Sequence, residues 1–113
     1  MNVGIGIEVC PISNQILEVV KDLRDHAAVV MLANGLPITL SPDDPVVYGY
    51  SGVSYDFYEA YMAWNLTLCG LKQLTQNSLM YSALPEADKQ QKLDDLGFAW
   101  SSWIDSIVSH YSL

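Results

Sequence analysis

The chain has 113 residues, of which 50% are hydrophobic and 16% charged, a composition that excludes disorder and suits a packed domain. Its net charge of -8 disfavours duplex nucleic acid and anionic membrane surfaces as partners. No apolar run approaches the ~20 residues of a membrane span, and residues 1–8 lack the features of a signal peptide.

A short strand is predicted near the start of the chain. Residues 5–9 alternate β-branched with small or polar residues, and Pro11 ends the run. Beyond it, Ser13 and Asn14 are good N-cap residues, and the apolar residues that follow them recur at helical spacing. The pattern therefore predicts a helix that begins just after Ser13 and Asn14 and ends near His26.

A second short helix and a second strand complete a strand, helix, strand unit. The helical run Ala27–Ala33 stops at Asn34 and Gly35, two residues that tolerate the left-handed conformation with which helices end. The segment Leu36–Leu40 then reads as a strand. Such a unit is typical of a parallel sheet, which places its functional sites beyond the carboxyl ends of the strands.

Three helices are predicted in the rest of the chain. Ser54 is predicted to cap the first of these helices. Aromatic residues surround the whole circumference of this helix, so we expect other parts of the protein to pack against more than one of its sides. Thr67 starts the next, and Pro85 is the first residue of a long last helix. Apolar residues recur at intervals of three and four along this last helix and form a stripe that comprises Leu93, Leu96, Trp100, Trp103 and Ile107. The stripe is too short for a coiled coil, so we expect it to pack in the core. We find no repeat or linker, and expect one domain over residues 1–113.

Two adjacent carboxylates, Asp43 and Asp44, follow the second strand and stand between Pro42 and Pro45. On their own, such residues are typical of a turn. A functional role needs context, and the context here is a parallel strand, at whose carboxyl end barrel enzymes place their catalytic residues. Both interpretations stay open on these residues alone.

The histidines and cysteines do not form a recognisable metal site. His26 and His110 lie at predicted helix ends, where a histidine commonly favours the helix dipole. Cys10 and Cys69 are far apart in sequence and are expected to be buried thiols rather than a disulfide. The motifs of cytidine-type deaminases, serine hydrolases and phosphate-binding loops are absent from the sequence. Asn65 begins an N-glycosylation acceptor pattern, which matters only in a secreted protein.

Several ordered segments nevertheless resemble one enzyme family. IEVCPISNQ at 7–15 and SPDDP at 41–45 resemble the last two barrel strands of adenosine deaminases. GYSGVSYDFYE at 49–59 narrows the resemblance to the secreted, growth-factor type, and LKQL, NSL and YS between residues 71 and 82 continue it. The resemblance covers nearly the whole chain.

The resemblance implies an α/β fold, the C-terminal portion of a (β/α)8 barrel with its last two parallel strands and trailing helices. It also implies zinc-dependent hydrolysis of adenosine or 2′-deoxyadenosine to the inosine form and ammonia, in an extracellular enzyme. By this resemblance Asp43 is the zinc-ligating aspartate, and Asp44 hydrogen-bonds a purine ring nitrogen. Pro42 departs from the family's usual serine and removes a hydroxyl and a backbone donor beside the ligand.

The rest of the family's catalytic set has no counterpart in these residues. The HxH pair, the glutamate that protonates the ring and the later histidines lie upstream in the family, and a whole barrel needs ~250 residues. We therefore expect no complete catalytic set, no zinc binding and no turnover from the isolated chain, and expect its partner to be the missing barrel portion or a second copy. The alternative is a noncatalytic truncated paralogue that acts as a protein-binding module.

Overall fold

The computed structural model describes residues 4–112, which divide into two compact units between Tyr81 and Ser82. The first unit contains a pair of strands, β1 (Ile7–Val9) and β2 (Ile38–Leu40). The helices in chain order are α1 (Pro11–Ile16), α2 (Ala27–Ala33), α3 (Ser54–Ala63), α4 (Leu68–Met80) and α5 (Glu86–Tyr111), with a 3-10 turn at Leu23–Asp25. None of these helices is both long and apolar enough to cross a membrane.

The two strands are parallel, as the strand, helix, strand pattern predicts. Ile7 pairs with Ile38 and Val9 with Leu40. The ladder is extended at its far end by the amide of Ser41, which donates to the carbonyl of Val9 over 3.0 Å. Both strands therefore end at the same edge of the sheet, and the residues that follow them are brought together there.

The first predicted helix is wrong in position. Helix α1 begins at Pro11, whose fixed φ suits the first turn of a helix, and it ends at Ile16. Glu18 then adopts a left-handed conformation with φ 57°, which a continuing helix cannot accommodate. Ser13 lies inside α1 rather than capping a later helix, because its hydroxyl is bonded to a distant carboxylate.

Several local predictions are confirmed. Helix α2 spans the predicted residues and ends where Gly35 takes a φ of +71°. Thr67 caps α4, because its hydroxyl accepts a hydrogen bond from the amide of Gly70. Ser54 is the first residue of α3 rather than its cap, and Pro85 caps α5 rather than opening it, each one position from the prediction.

The core of the first unit lies between the sheet and the helices that pack on it, and its buried residues are Val9, Ala28, Ile38, Leu40, Ala60, Trp64 and Leu74. Trp64 also donates its indole N–H to the carbonyl of Leu23 over 2.9 Å. The side-chain amide of Asn77, in α4, donates to the backbone carbonyl of Ile38 in β2 over 2.8 Å, and this bond joins α4 to the strand. Gly6 lets the end of α4 approach, since a Cβ there would lie 2.7 Å from that of Tyr81.

Helix α3 is covered on one side. Ala60 is fully buried, whereas Tyr55, Tyr58 and Met62 are exposed. The expectation of cover on more than one side is therefore not met within the described residues.

The second unit consists of α5 and the short segment before it. The stripe that the sequence assigns to core packing is only partly buried, and Trp103 is exposed. The expectation of a buried stripe is thus wrong for the described chain, because a single helix has no second element in its own unit against which to bury it. Trp100 and Trp103 contact each other edge to face, with ring centroids 5.2 Å apart.

Candidate active site

The residues beyond the carboxyl ends of β1 and β2 form the candidate site. Helix α1 starts directly after β1, and the segment from Ser41 to Pro45 follows β2. Because the strands are parallel and in register, Ser13 of α1 reaches the carboxylate that follows β2, although the two residues are 30 positions apart. The sheet thus assembles the site from two separate segments.

Asp43 lies at the centre of this arrangement. Its φ of 56° is left-handed, a conformation that non-glycine residues adopt rarely and that often marks a functional position. Ser13 donates its hydroxyl proton to Asp43 Oδ2 over 2.7 Å, and Ser13 itself is buried. The hydroxyl of Tyr48 lies 3.1 Å from Ser13 Oγ and 3.4 Å from Asp43 Oδ2. Asp43 is therefore an exposed carboxylate held by a buried hydroxyl.

Asp44 is exposed, and its backbone begins the next turn. Its carbonyl accepts hydrogen bonds from the amides of Val47 and Tyr48, at 3.0 and 3.3 Å. The backbone of Asp44 therefore forms the turn that is typical of such acidic residues next to prolines. Its carboxylate makes no hydrogen bond within the part of the chain that the structure describes, so it is available to a ligand.

A second carboxylate, Asp56, lies below this loop and is fully buried in the first turn of α3. It accepts hydrogen bonds from the amide of Ile12, at 3.2 Å, and from the hydroxyl of Tyr50, at 3.0 Å. The same hydroxyl lies 3.1 Å from the carbonyl of Pro42. The sequence indicates only that Asp56 suits the helix dipole. Its structural role, joining α1, α3 and the loop after β2, depends on contacts across 44 residues that no local signal reveals.

Burial governs the ionisation of this group of residues. It raises the pKa of Asp56 above its usual value, although hydrogen bonds from the Ile12 amide, the Tyr50 hydroxyl and the backbone amide of Asp56 itself oppose the rise. Burial, together with the neighbouring Asp56, raises the pKa of Tyr50 to about 12. Tyr50 therefore keeps its proton at physiological pH and remains a hydrogen-bond donor.

His26 caps a helix and takes no part in the acidic site. Its Nδ1 accepts the amide proton of Ala28 over 2.9 Å at the start of α2, and its Nε2 lies 2.9 Å from the side-chain oxygen of Asn14. Burial lowers the pKa of His26. His26 thus has the structural role expected of it, although it lies at the positive end of α2 rather than at the end of a preceding helix. His110 is in the last turn of α5, as predicted.

The cysteines are free, and only one of them is partly buried. Cys10 is half-buried and Cys69 is exposed, which corrects the expectation that both are buried. Burial raises the pKa of the Cys10 thiol, with nearby carboxylates acting in the same direction. The thiol is therefore held in its protonated form.

Comparison with known proteins identifies the family. The family model described as adenosine deaminase matches residues 2–97. The chain belongs to the adenosine deaminase family. Among its relatives, adenosine deaminase 2-A of Danio rerio is 48% identical over 103 residues, which cover 88% of this chain and 20% of that protein. Adenosine deaminase 2 of Dictyostelium discoideum is 45% identical over 96% of this chain and 20% of its own length. The chain thus spans about a fifth of the curated relatives that it matches.

A solved structure confirms the fold of this adenosine deaminase segment. The crystal structure of adenine deaminase from Arthrobacter aurescens superposes with a TM-score of 0.76 and 29% identity, and it covers 90% of this chain and 30% of that one. The predicted α/β fold, as part of a (β/α)8 barrel, is confirmed, and so is the resemblance to adenosine deaminases. The C-terminal edge of β1 and β2 therefore corresponds to the face at which such barrels carry their active sites.

The carboxylate of Asp43 is chemically suited to serve as one metal ligand. It is an exposed carboxylate at the carboxyl end of a barrel strand, and one of its oxygens accepts no hydrogen bond within residues 4–112. A catalytic zinc site needs about three protein ligands, and no group of three His, Cys, Asp or Glu side chains suited to a metal occurs among the described residues. The described chain can therefore offer this ligand but not a whole set.

Proposed function

We propose that this chain provides part of the active site of a zinc-dependent adenosine deaminase, which hydrolyses adenosine or 2′-deoxyadenosine with release of ammonia. The observation that carries the proposal is the placement of Asp43. It lies in the loop that follows the parallel strand β2, in a left-handed conformation, and one of its carboxylate oxygens accepts a hydrogen bond from Ser13. The family match over residues 2–97 supports it.

In this proposal the two adjacent carboxylates have different roles. Asp43 supplies one zinc ligand, and the remaining ligands come from the rest of the barrel. When bound, zinc lowers the pKa of a water molecule and so supplies the attacking nucleophile. Asp44, whose exposed carboxylate adjoins Asp43, accepts or donates a hydrogen bond at a purine ring nitrogen and orients the base.

The proposal extends to the organisation and location of the protein. Residues 1–113 form part of one catalytic domain without an internal boundary, although the described chain separates into two compact units. The resemblance of residues 49–59 to the growth-factor type supports an extracellular enzyme in this proposal. Asn65 fits a glycosylation site in such an enzyme, since it is exposed just after α3.

The test is a chimera in which this chain replaces the matched region of the Danio rerio relative. We expect the chimera to bind zinc and to release inosine from adenosine, measured by metal analysis and chromatography. Asp43→Asn should lose both properties, whereas the matched variant Asp44→Asn should keep its zinc. A chimera that retains zinc after Asp43→Asn contradicts the proposal. The isolated 113-residue chain should show no turnover.

A second candidate function is that of a noncatalytic protein-binding module. It is favoured by an open, mainly apolar groove of about 360 Å³ between α3 and α4, lined by Ser54, Phe57, Tyr58, Tyr61, Leu68 and Leu71. An inactive chimera, together with a monodisperse and cooperatively unfolding isolated chain in size-exclusion and denaturation experiments, would favour this function over the first.

A further inference from the structure

The carboxylate of Asp43 is held through only one of its two oxygens. Ser13 Oγ is 2.7 Å from Oδ2, and the Tyr48 hydroxyl is 3.4 Å from the same oxygen. Within residues 4–112, no hydrogen bond reaches Oδ1. The protein thus occupies one oxygen of this carboxylate and leaves the other for a ligand.

The number of protons available on the Ser13 and Tyr48 hydroxyls determines which group donates in each hydrogen bond. Each hydroxyl has a single proton to donate. The short bond to Asp43 uses the proton of Ser13, so the 3.1 Å contact between the two hydroxyls must use the proton of Tyr48, with Ser13 Oγ as acceptor. The direct contact from Tyr48 to Asp43 is long for a bond between two oxygens. The order is therefore Tyr48 to Ser13 to Asp43.

We propose that Tyr48 and Ser13 form a hydroxyl relay that positions Asp43 for metal binding through Oδ1 and keeps Oδ2 out of the coordination shell. This inference rests on the proposed role of Asp43 as a zinc ligand. Ser13 and Tyr48 are positioning residues in it, and neither touches the metal or the substrate.

The geometry gives this relay a physical effect on the metal. A hydrogen bond to an ionised carboxylate is short and strong, and Ser13 makes it from a position that is only 1% exposed, so water competes poorly for it. The Tyr48 proton polarises the Ser13 hydroxyl and strengthens its bond to Asp43. Partners that orient a ligand in this way typically change metal affinity by about 10- to 100-fold.

The experiment uses the zinc-loaded chimera and measures the rate at which zinc is lost to an excess of chelator. We expect Ser13→Ala to accelerate the loss by about 10-fold or more, and Tyr48→Phe by a smaller factor, roughly threefold. Adding Tyr48→Phe to Ser13→Ala should change little, because the tyrosine acts mainly through the serine. Ser78→Ala is the matched control, since its hydroxyl bonds only within α4 to the carbonyl of Leu74.

A spectroscopic measurement separates positioning from a general loss of structure. With cobalt in place of zinc, Ser13→Ala frees Oδ2 to bind the metal as well, and the resulting higher coordination number should weaken the visible absorption. The Ser78→Ala control should leave the spectrum unchanged. If Ser13→Ala does not fold, both measurements are made on Tyr48→Phe, which removes a single hydroxyl from a half-buried side chain.

The outcomes distinguish this inference from the function on which it rests. If Asp43→Asn retains zinc, the proposed function itself fails. If Asp43→Asn loses zinc but Ser13→Ala releases it at the unaltered rate with an unaltered cobalt spectrum, only the relay is overturned. Effects of Ser13→Ala and Tyr48→Phe that multiply would show two independent contacts and would overturn the proposed order.

Discussion

Two carboxylates near the loop after β2 are used in opposite ways. Asp56 is fully buried, and both of its oxygens accept hydrogen bonds, from the Ile12 amide and the Tyr50 hydroxyl. Asp43 is exposed and adopts a left-handed backbone conformation, and among residues 4–112 it accepts hydrogen bonds only through Oδ2. A carboxylate whose hydrogen-bonding capacity is used by the fold stabilises it, whereas one with a free oxygen and a strained backbone is suited to a ligand.

The comparison predicts that substitution of Asp43 lowers activity and that substitution of Asp56 lowers stability. Asp43→Asn keeps a side chain of the same shape that tolerates the left-handed conformation, but removes the charge that a zinc ligand needs. We expect it to lower the activity of the chimera by more than the roughly 100-fold typical of outer-shell changes. The free energy of unfolding of the metal-free chimera should change by less than about 1 kcal/mol, because the amide oxygen of the introduced asparagine can still accept a weaker, uncharged hydrogen bond from Ser13. Enzyme assays and urea denaturation measure the two effects. A large loss of stability in Asp43→Asn would show that Asp43, like Asp56, stabilises the fold.

Asp56 should show the reverse behaviour. Asp56→Ala leaves the Ile12 amide without its acceptor, whereas the Tyr50 hydroxyl keeps the carbonyl of Pro42; leaving one buried donor unpaired costs about 1–3 kcal/mol. We therefore expect the free energy of unfolding of the chimera to fall by about 1–3 kcal/mol, measured by urea denaturation with circular dichroism.

Asp56→Asn is the matched control for this prediction. Its amide oxygen can still accept from Ile12, and its amide nitrogen can donate to Tyr50, so it should cost less than about half as much as Asp56→Ala. Equal losses in the two variants would show that the charge of Asp56, and not its hydrogen bonds, stabilises the loop.

The contrast between the two carboxylates was only partly predictable from the sequence. Asp43 can be proposed as a site residue from the sequence because the short motif that contains it and the strand before it are local signals. Asp56 has no such signal, because its bond to Ile12 joins residues that are 44 positions apart. The helix predicted after Ser13 and Asn14 is wrong in position for a related reason. Ser13 and Asn14 look like caps, but their side chains bond Asp43 and His26 instead.

Asp44 should affect substrate binding more than metal binding. If its carboxyl group forms one charged hydrogen bond with the purine, losing that bond costs about 1.5–3 kcal/mol, which corresponds to a rise in KM of at least about 10-fold for Asp44→Asn. Zinc content should stay unchanged, because Asp44 is not the proposed ligand. Steady-state kinetics and metal analysis of the chimera test this, and loss of zinc in Asp44→Asn would mean that the two neighbouring carboxylates share one role.

The smallest expected effect concerns His26, a half-buried side chain whose protonation changes the stability of the fold in a definite direction. Because its Nδ1 accepts the Ala28 amide proton, His26 is neutral when folded and donates through Nε2 to Asn14. Burial lowers its folded pKa below the usual value of about 6.5, so the unfolded chain binds the proton first as the pH falls. The contribution of His26 to stability is therefore complete above about pH 6.5 and is lost as the pH falls through the window below it.

The variant His26→Asn tests this sign, because asparagine can also cap α2 but does not titrate. His26 is only half-buried, so we expect the difference in unfolding free energy between the two chains to change by less than about 1 kcal/mol from pH 7.5 to pH 5, with the histidine chain losing more. Urea denaturation at each pH measures it, and taking the difference cancels the titration of Asp56, whose raised pKa acts in the opposite direction. A histidine chain that gains stability on acidification relative to His26→Asn would mean that the ring is protonated in the folded state, and that the Ala28 amide is capped by some other acceptor.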